Sequence, residues 1–141
     1  LTEWTIRTGR RADIPSVLAL WRLTESLPTV TDNERALDGL LRRDSNSLLL
    51  ADRGAEILGS LIVGWDGWRG SFYRLAVHPQ WRRRGLATSL VRADEQALAD
   101  LGAVRLTAIV ASDEHGAMGL WESAGYDRQA NRSRFVRVLA D

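Results

Sequence analysis

The sequence contains no cysteine and no lysine. Without cysteine there is no disulfide framework, thiolate nucleophile or thiolate zinc site to build. Without lysine all 19 basic side chains are arginine. They are planar, permanently charged forks suited to phosphate, and no ε-amine is available for self-acylation. Base composition accounts for this usage over the chain as a whole, because the arginines are scattered except at 82–84. No apolar run approaches the roughly 20 residues that cross a bilayer, and the opening LTEWTIRTGRR lacks the apolar core of a secretory signal. A cytoplasmic chain away from membranes is the expectation. Charge of one sign is also scarce in excess: 19 basic against 18 acidic residues leave +1. Nothing global therefore draws the chain to nucleic acid or to a membrane surface. What is present is 141 residues at 45% hydrophobic content, enough for one compact domain over 1–141 with an ordinary core.

Periodicity sets the order of elements. Trp4 to Arg7 alternates like a half-buried strand. Ile14, Val17, Leu18 and Trp21 recur at helical spacing, with Asp13 placed to cap and Pro15 tolerated in a first turn. Thr31-Asp32-Asn33 offers caps for a second helix carrying Leu37, Leu40 and Leu41. Residues 47–51, 57–65 and 71–77 read as three strands of an antiparallel meander, turning at 52–54 and 66–70. A helix with Leu86, Leu90, Ala97, Leu98 and Leu101 runs to the Gly102 stop. Residues 105–110 form a further strand, 113–123 a short helix closed by Gly125, and 126–139 a final strand pair turning near Asn131. Strand, helix and strand from 71 to 110 make a βαβ unit, so these two strands run parallel in a mixed, mostly antiparallel sheet. The fold class is α/β.

The chemistry concentrates where the third meander strand meets the next helix. Leu75-Ala76-Val77-His78-Pro79 runs into a proline-fixed turn, and Gln80-Trp81-Arg82-Arg83-Arg84-Gly85-Leu86-Ala87-Thr88 opens the helix. The first amides of a helix have no internal acceptor and the dipole is positive there, so phosphate oxygens can accept several backbone hydrogen bonds at once. Gly85 can take positive φ, and Gly85 and Ala87 keep the backbone approachable. An isolated three-arginine helix start would be an exposed basic turn and nothing more. The surrounding order of elements gives this one a context.

Val77-x-Pro79, Arg82, Gly85 and Ala87 resemble the V-x-P-x-x-R-x-x-G-x-A segment of the GNAT acetyltransferase superfamily, and the element order over nearly the whole chain is similar to that of GNAT domains. The resemblance implies one GNAT-like domain whose sheet splays between the strands at about 71–77 and 105–110. It implies acetyl-CoA, or another acyl-CoA, as cosubstrate, with no metal. Leu75, Ala76 and Val77 would pair with the pantetheine arm, and the segment from Arg82 through Arg83, Arg84, Gly85, Leu86, Ala87 and Thr88 would hold the pyrophosphate. The implied reaction is transfer of an acetyl group to a primary amine, on a small molecule or a peptide, by direct attack. Dimers are common in the superfamily, so a homodimer is an expectation. The run GWDGWRGSFYRLAVHP also resembles the YpeA-like subgroup of small bacterial GNAT proteins.

The catalytic half is less regular. Glu114 to Tyr126 resembles the family's N-x-x-A-x-x-L-Y-x-x-x-G-F, but Glu114 stands in place of asparagine and Trp121 in place of the tyrosine that protonates the departing thiolate. An indole N–H donates but is no practical acid, so Trp121 is expected to line the pantetheine channel instead. Ile109 occupies the position of a glutamate base in the ribosomal-protein acetyltransferase branch. Tyr73, two residues before Leu75 on the same strand, is a candidate acid with its hydroxyl expected on the face of Leu75, and a packed aromatic is the plainer alternative. Glu114 is a candidate base or amine-recognising carboxylate, against the plainer reading of an exposed helix-start acid complementing the dipole, a reading that Asp113 shares. His78, His115, Glu25, Asp32, Glu34, Trp65 and Trp68 are lesser candidates for proton transfer or acceptor recognition. Two rival readings stand beside the enzyme: an acyl-CoA-binding sensor with little turnover, and a nucleic-acid module, the latter opposed by the balanced charge.

Overall fold

The computed structural model describes residues 3–24, 27–111 and 115–139. The chain divides into two compact units, 1–109 and 110–141. The first contains β1 (Thr5–Thr8), α1 (Ile14–Leu23), α2 (Glu34–Arg43), β2 (Leu48–Arg53), β3 (Glu56–Trp65), β4 (Gly70–Val77), α3 (Leu86–Asp100) and β5 (Leu106–Ala108). The strands form one five-stranded sheet in the order β1-β2-β3-β4-β5. All neighbours are antiparallel except β4 and β5, which run parallel as the crossover through α3 requires.

Local chemistry sets the element ends. Asn33 caps α2, its side chain accepting from the Ala36 amide at 2.9 Å. Asp13 holds the cap position of α1 but makes no side-chain cap bond. Its carboxylate accepts instead from the Arg10 amide at 2.8 Å and from the Arg7 guanidinium at 2.8 Å. Arg7 also pairs with Asp52, so one guanidinium ties β1 to β2 and to the turn before α1. The hydrogen-bonded Arg7 holds the Asp13 carboxyl below its ordinary range.

Apolar spacing then assembles the two faces of the sheet. Ile14, Val17, Leu20 and Trp21 of α1 and Leu37 of α2 pack with Leu48, Leu50, Ile57, Ile62 and Ala76. The other face takes α3. A Cβ on Gly59 would lie 2.5 Å from Leu86 Cδ2 and 3.1 Å from Leu90 Cδ1, so the missing side chain lets the first turns of α3 settle onto β3.

Two sequence expectations are corrected. The strand expected over 105–110 is three residues long, and its ladder covers Gly70, Ser71 and Phe72 of β4 and no more. The strand pair expected over 126–139 is absent. That segment of the second unit turns at residues 130–131 as expected but carries no strand on either side. Phe135, Val136 and Leu139 are largely exposed there. Alternating apolar residues favour a strand only when a ladder partner and a covering layer accept them, and periodicity specifies neither.

Candidate functional site

The loop from β4 to α3 is built on its backbone. His78 accepts from the Gln80 amide through Nδ1 at 3.1 Å and starts a short 3-10 turn over Pro79–Trp81, an N-capping task that explains its place beside the proline. Arg83 takes φ +62° and Gly85 φ +84°. Left-handed residues in such a turn gather backbone N–H groups toward a common point. The first i to i−4 bond of α3 runs from Ser89 N to Gly85 O at 3.0 Å, so the amides of Leu86, Ala87 and Thr88 precede it as donors without a helical acceptor. A Cβ on Gly85 would meet nothing within 4 Å. Glycine is required here by its positive φ and by the open space before the amides, not by crowding.

The three arginines, a single cluster in the sequence, have separate tasks. Arg82 donates through Nε to the Val77 carbonyl at 3.3 Å. Arg84 pairs with Glu3 at 3.0 Å and stacks over the Trp81 ring at 4.5 Å, while Arg53 approaches the same ring at 5.4 Å. Among the described residues the exposed Arg83 has no side-chain hydrogen bond or ion pair, which leaves its charge to the mouth of the loop.

The open edge of β4 leads into this loop. Beyond Phe72 no strand among the described residues of the first unit extends the ladder on the β5 side. His78 N donates to Leu58 O at 2.8 Å, which fixes the parity of the strand. The amides and carbonyls of Leu75 and Val77 therefore face the edge that β5 has left, while Ala76 faces β3.

A bulge separates this stretch from Tyr73. The register passes from Ile62↔Tyr73 to Ser60↔Ala76, placing one extra residue on β4, and Arg74 absorbs it at φ +53°. Tyr73 consequently shares a face with Ala76 and not with Leu75. The expectation that Tyr73 and Leu75 point the same way fails because strict period-2 alternation stops at a bulge. Tyr73 lies on the α1–α2 face, 45% exposed, with its ring beside Gly64.

A family model described as acetyltransferase (GNAT) family matches residues 14–126. The chain belongs to the GNAT acetyltransferase family. This GNAT chain is 32% identical over 136 residues to acetyltransferase YE1169 of Yersinia enterocolitica, covering 96% of each protein. Its fold is similar to that of Ard1 from Thermoplasma volcanium, with a TM-score of 0.82 at 18% identity, covering 92% of this chain and 86% of that one. It is also similar to the PaiA N-acetyltransferase of Thermoplasma acidophilum, solved in complex with coenzyme A, with a TM-score of 0.78 at 13% identity and coverage of 91% and 92%.

The remaining candidates of this GNAT protein are placed as follows. Glu114, Asp113 and Glu25 lie outside the described residues. In the second unit, α4 (His115–Ser123) ends in a Schellman arrangement. Tyr126 N donates to Trp121 O at 3.0 Å and Gly125 N to Glu122 O at 3.1 Å, with Gly125 at φ +98°. The Trp121 ring meets Tyr126 edge-on at 4.9 Å, the apolar contact that accompanies this cap. Trp121 thus has a packing task at the end of its own helix. Ile109 follows β5 and is half-exposed. Asp66 folds the β3–β4 turn by accepting from the Trp68 amide at 2.8 Å and the Arg69 amide at 2.7 Å, which holds its carboxyl low. Arg69 lies 4.0 Å over the exposed Trp68 ring.

Two features escaped the sequence reading. Asp32 pairs with Arg74, so its carboxylate is not free to recognise an amine. Asp94, mid-way along α3, is buried, its Oδ2 has no hydrogen-bond partner among the described residues, and burial pushes its carboxyl up to about 7. It lines a cavity of about 80 Å³ with Asp44, Asn46 and Trp65. A larger groove of about 450 Å³ lies among Arg11, Pro15, Glu34 and Asp38 and contains no residue of the β4–α3 loop.

Proposed function

We propose that this protein is an acyl-CoA-dependent N-acyltransferase, acting as one GNAT domain over 1–141 and moving an acetyl group from acetyl-CoA to a primary amine. The observation that carries the reading is the continuity of two ligand-ready backbones. The edge at Leu75 and Val77, beyond the end of the β5 ladder, runs into the left-handed loop at Arg83 and Gly85, and then into the amides of Leu86, Ala87 and Thr88, which have no helical acceptor. An extended amide-bearing chain ending in a pyrophosphate matches that sequence of donors and acceptors, the first part by strand addition and the second by a helix start. Arg83 adds charge at the phosphates, and Arg82 guards the Val77 carbonyl.

With the cosubstrate held so, the neutral amine attacks the thioester carbonyl, the tetrahedral intermediate collapses, the C–S bond breaks, and the coenzyme leaves as a thiolate that takes up a proton. Tyr73 is the proposed acid, reached from the α1–α2 face, and Glu114 the proposed base, acting directly or through water. Much of the rate comes from holding the two reactants together, with backbone donors stabilising the oxyanion. Acetyl-CoA incubated with amines from small polyamines to peptide N-termini is expected to release free thiol with at least one of them. Tight acetyl-CoA binding without thiol release from any amine would make the chain a binding or sensor domain instead.

A further inference from the structure

Arg74 stands at the hinge of the β4 bulge, in a left-handed conformation that side-chain-bearing residues avoid unless their surroundings impose it. A chain of buried and part-buried contacts imposes it here. Trp21 Nε1 of α1 donates to Ser60 Oγ at 2.8 Å, and Ser60 Oγ donates to the Arg74 carbonyl at 3.2 Å. The Arg74 guanidinium lies 4.9 Å over the Trp21 ring. From there it leaves the sheet for the loop between α1 and α2. It pairs with Asp32, with Nε 3.1 Å from Oδ1, and it reaches the Leu27 carbonyl at 3.4 Å.

Among the described residues, the loop's other side-chain hydrogen bonds are local. Asp32 Oδ2 accepts from the Thr29 amide at 2.8 Å, and Asn33 Nδ2 donates to the Val30 carbonyl at 2.9 Å. Such bonds shape the loop but do not place it. Among the described residues, the side chain that ties the loop to the sheet lies 42 positions away in sequence.

We infer that Arg74 is a positioning residue that fastens the 27–32 loop to the bulge as one wall of the amine site. The inference rests on the acyl-CoA reading above. With the pyrophosphate at the start of α3 and the pantetheine along Val77 and Leu75, the next position up the strand is Arg74, so the thioester lies beside the bulge. One face of β4 is covered by α3, and the amine enters from the α1–α2 face, which carries Tyr73 and the Arg74 side chain. The loop thus borders the acceptor. With Asp32 neutralised by its partner and Leu27 and Val30 exposed, it offers that acceptor an apolar flank. Filling the β4 edge stiffens the bulge, and Arg74 passes that stiffening to the loop.

Amide hydrogen exchange of the whole chain with and without acetyl-CoA tests this directly. In the wild type, acetyl-CoA is expected to slow exchange both at 85–88 and at 27–32. In Arg74→Met, and in the double variant Arg74→Met/Asp32→Leu that removes both charges and so strands neither, protection at 85–88 persists and protection at 27–32 disappears. With the fastest amine of the panel above, KM for that amine is expected to rise about tenfold in both variants while KM for acetyl-CoA stays within about twofold. Arg74→Lys, which keeps the charge but not the fork, should restore part of the loss. Protection at 85–88 with no change at 27–32 in the wild type overturns the inference and leaves the acyl-CoA reading intact. A parallel rise of both KM values in the double variant also overturns it, since the effect would then be general. Absence of protection at 85–88 in the wild type defeats the acyl-CoA reading itself, and the inference with it.

Discussion

Asp94 shows how one side chain sets a pH response. Its folded pKa of about 7 lies above the ordinary 3.8, and burial is the cause. Between those values the folded state keeps a proton that the unfolded state has released, so stability falls as pH rises from about 4 to about 7 and is level above that. Asp44 is the other titratable group lining the cavity, and no basic residue lines it to offset the ionised form. The wild type should therefore melt several degrees lower at pH 8 than at pH 5, a difference on the order of a few kcal/mol. Asp94→Asn should flatten that slope in thermal melts followed by circular dichroism. Tyr73 carries a second prediction. If its phenol protonates the leaving thiolate, Tyr73→Phe should lower kcat by about a hundredfold with KM for acetyl-CoA unchanged. A kcat equal to wild type across the pH range would remove Tyr73 from the mechanism.

At the scale of elements, two glycines have opposite reasons for being glycine, and substitution separates them. Gly59 is crowded: a side chain there drives into Leu86, Leu90 and the Ala76 carbonyl and lifts α3 off the sheet. Gly59→Val should cost about 1–3 kcal/mol or more in denaturant melts. Gly85 is uncrowded but left-handed, and the space before it is where a phosphate would sit. Gly85→Val should cost about 1–3 kcal/mol from strain, but its defining effect is loss of acetyl-CoA binding by calorimetry, which Gly59→Val at a temperature where it stays folded should retain. Elements also mark the limit of pattern reading. The meander and the caps of α2 and α4 were legible because each rests on contacts between near neighbours, and the parallel crossover because a strand–helix–strand order dictates it. The bulge at Arg74 was not, since an inserted residue shows only against the register of the partner strand. The same holds for residues 126–139, whose apolar positions predict strands that need partners the sequence does not name.

For the molecule as a whole, a net charge of +1 conceals a local field. Arg83 projects its charge at the mouth of the β4–α3 loop, while Arg82 and Arg84 are occupied by Val77, Glu3 and Trp81. Binding of the polyanionic cosubstrate should weaken several-fold between about 0.05 and 0.5 M salt, and Arg83→Ala should both weaken it and flatten that dependence. The sequence by itself determined the family and the position of the β4–α3 loop, because both follow from residue types at short, fixed spacings that a helix start and a tight turn demand. Only the tertiary structure decided how the arginines of 82–84 divide their tasks, which face Tyr73 occupies, and that Asp32 is committed to Arg74. Each of these depends on groups brought together from distant parts of the chain, and on a one-residue shift of register that turns side chains from one face of a sheet to the other.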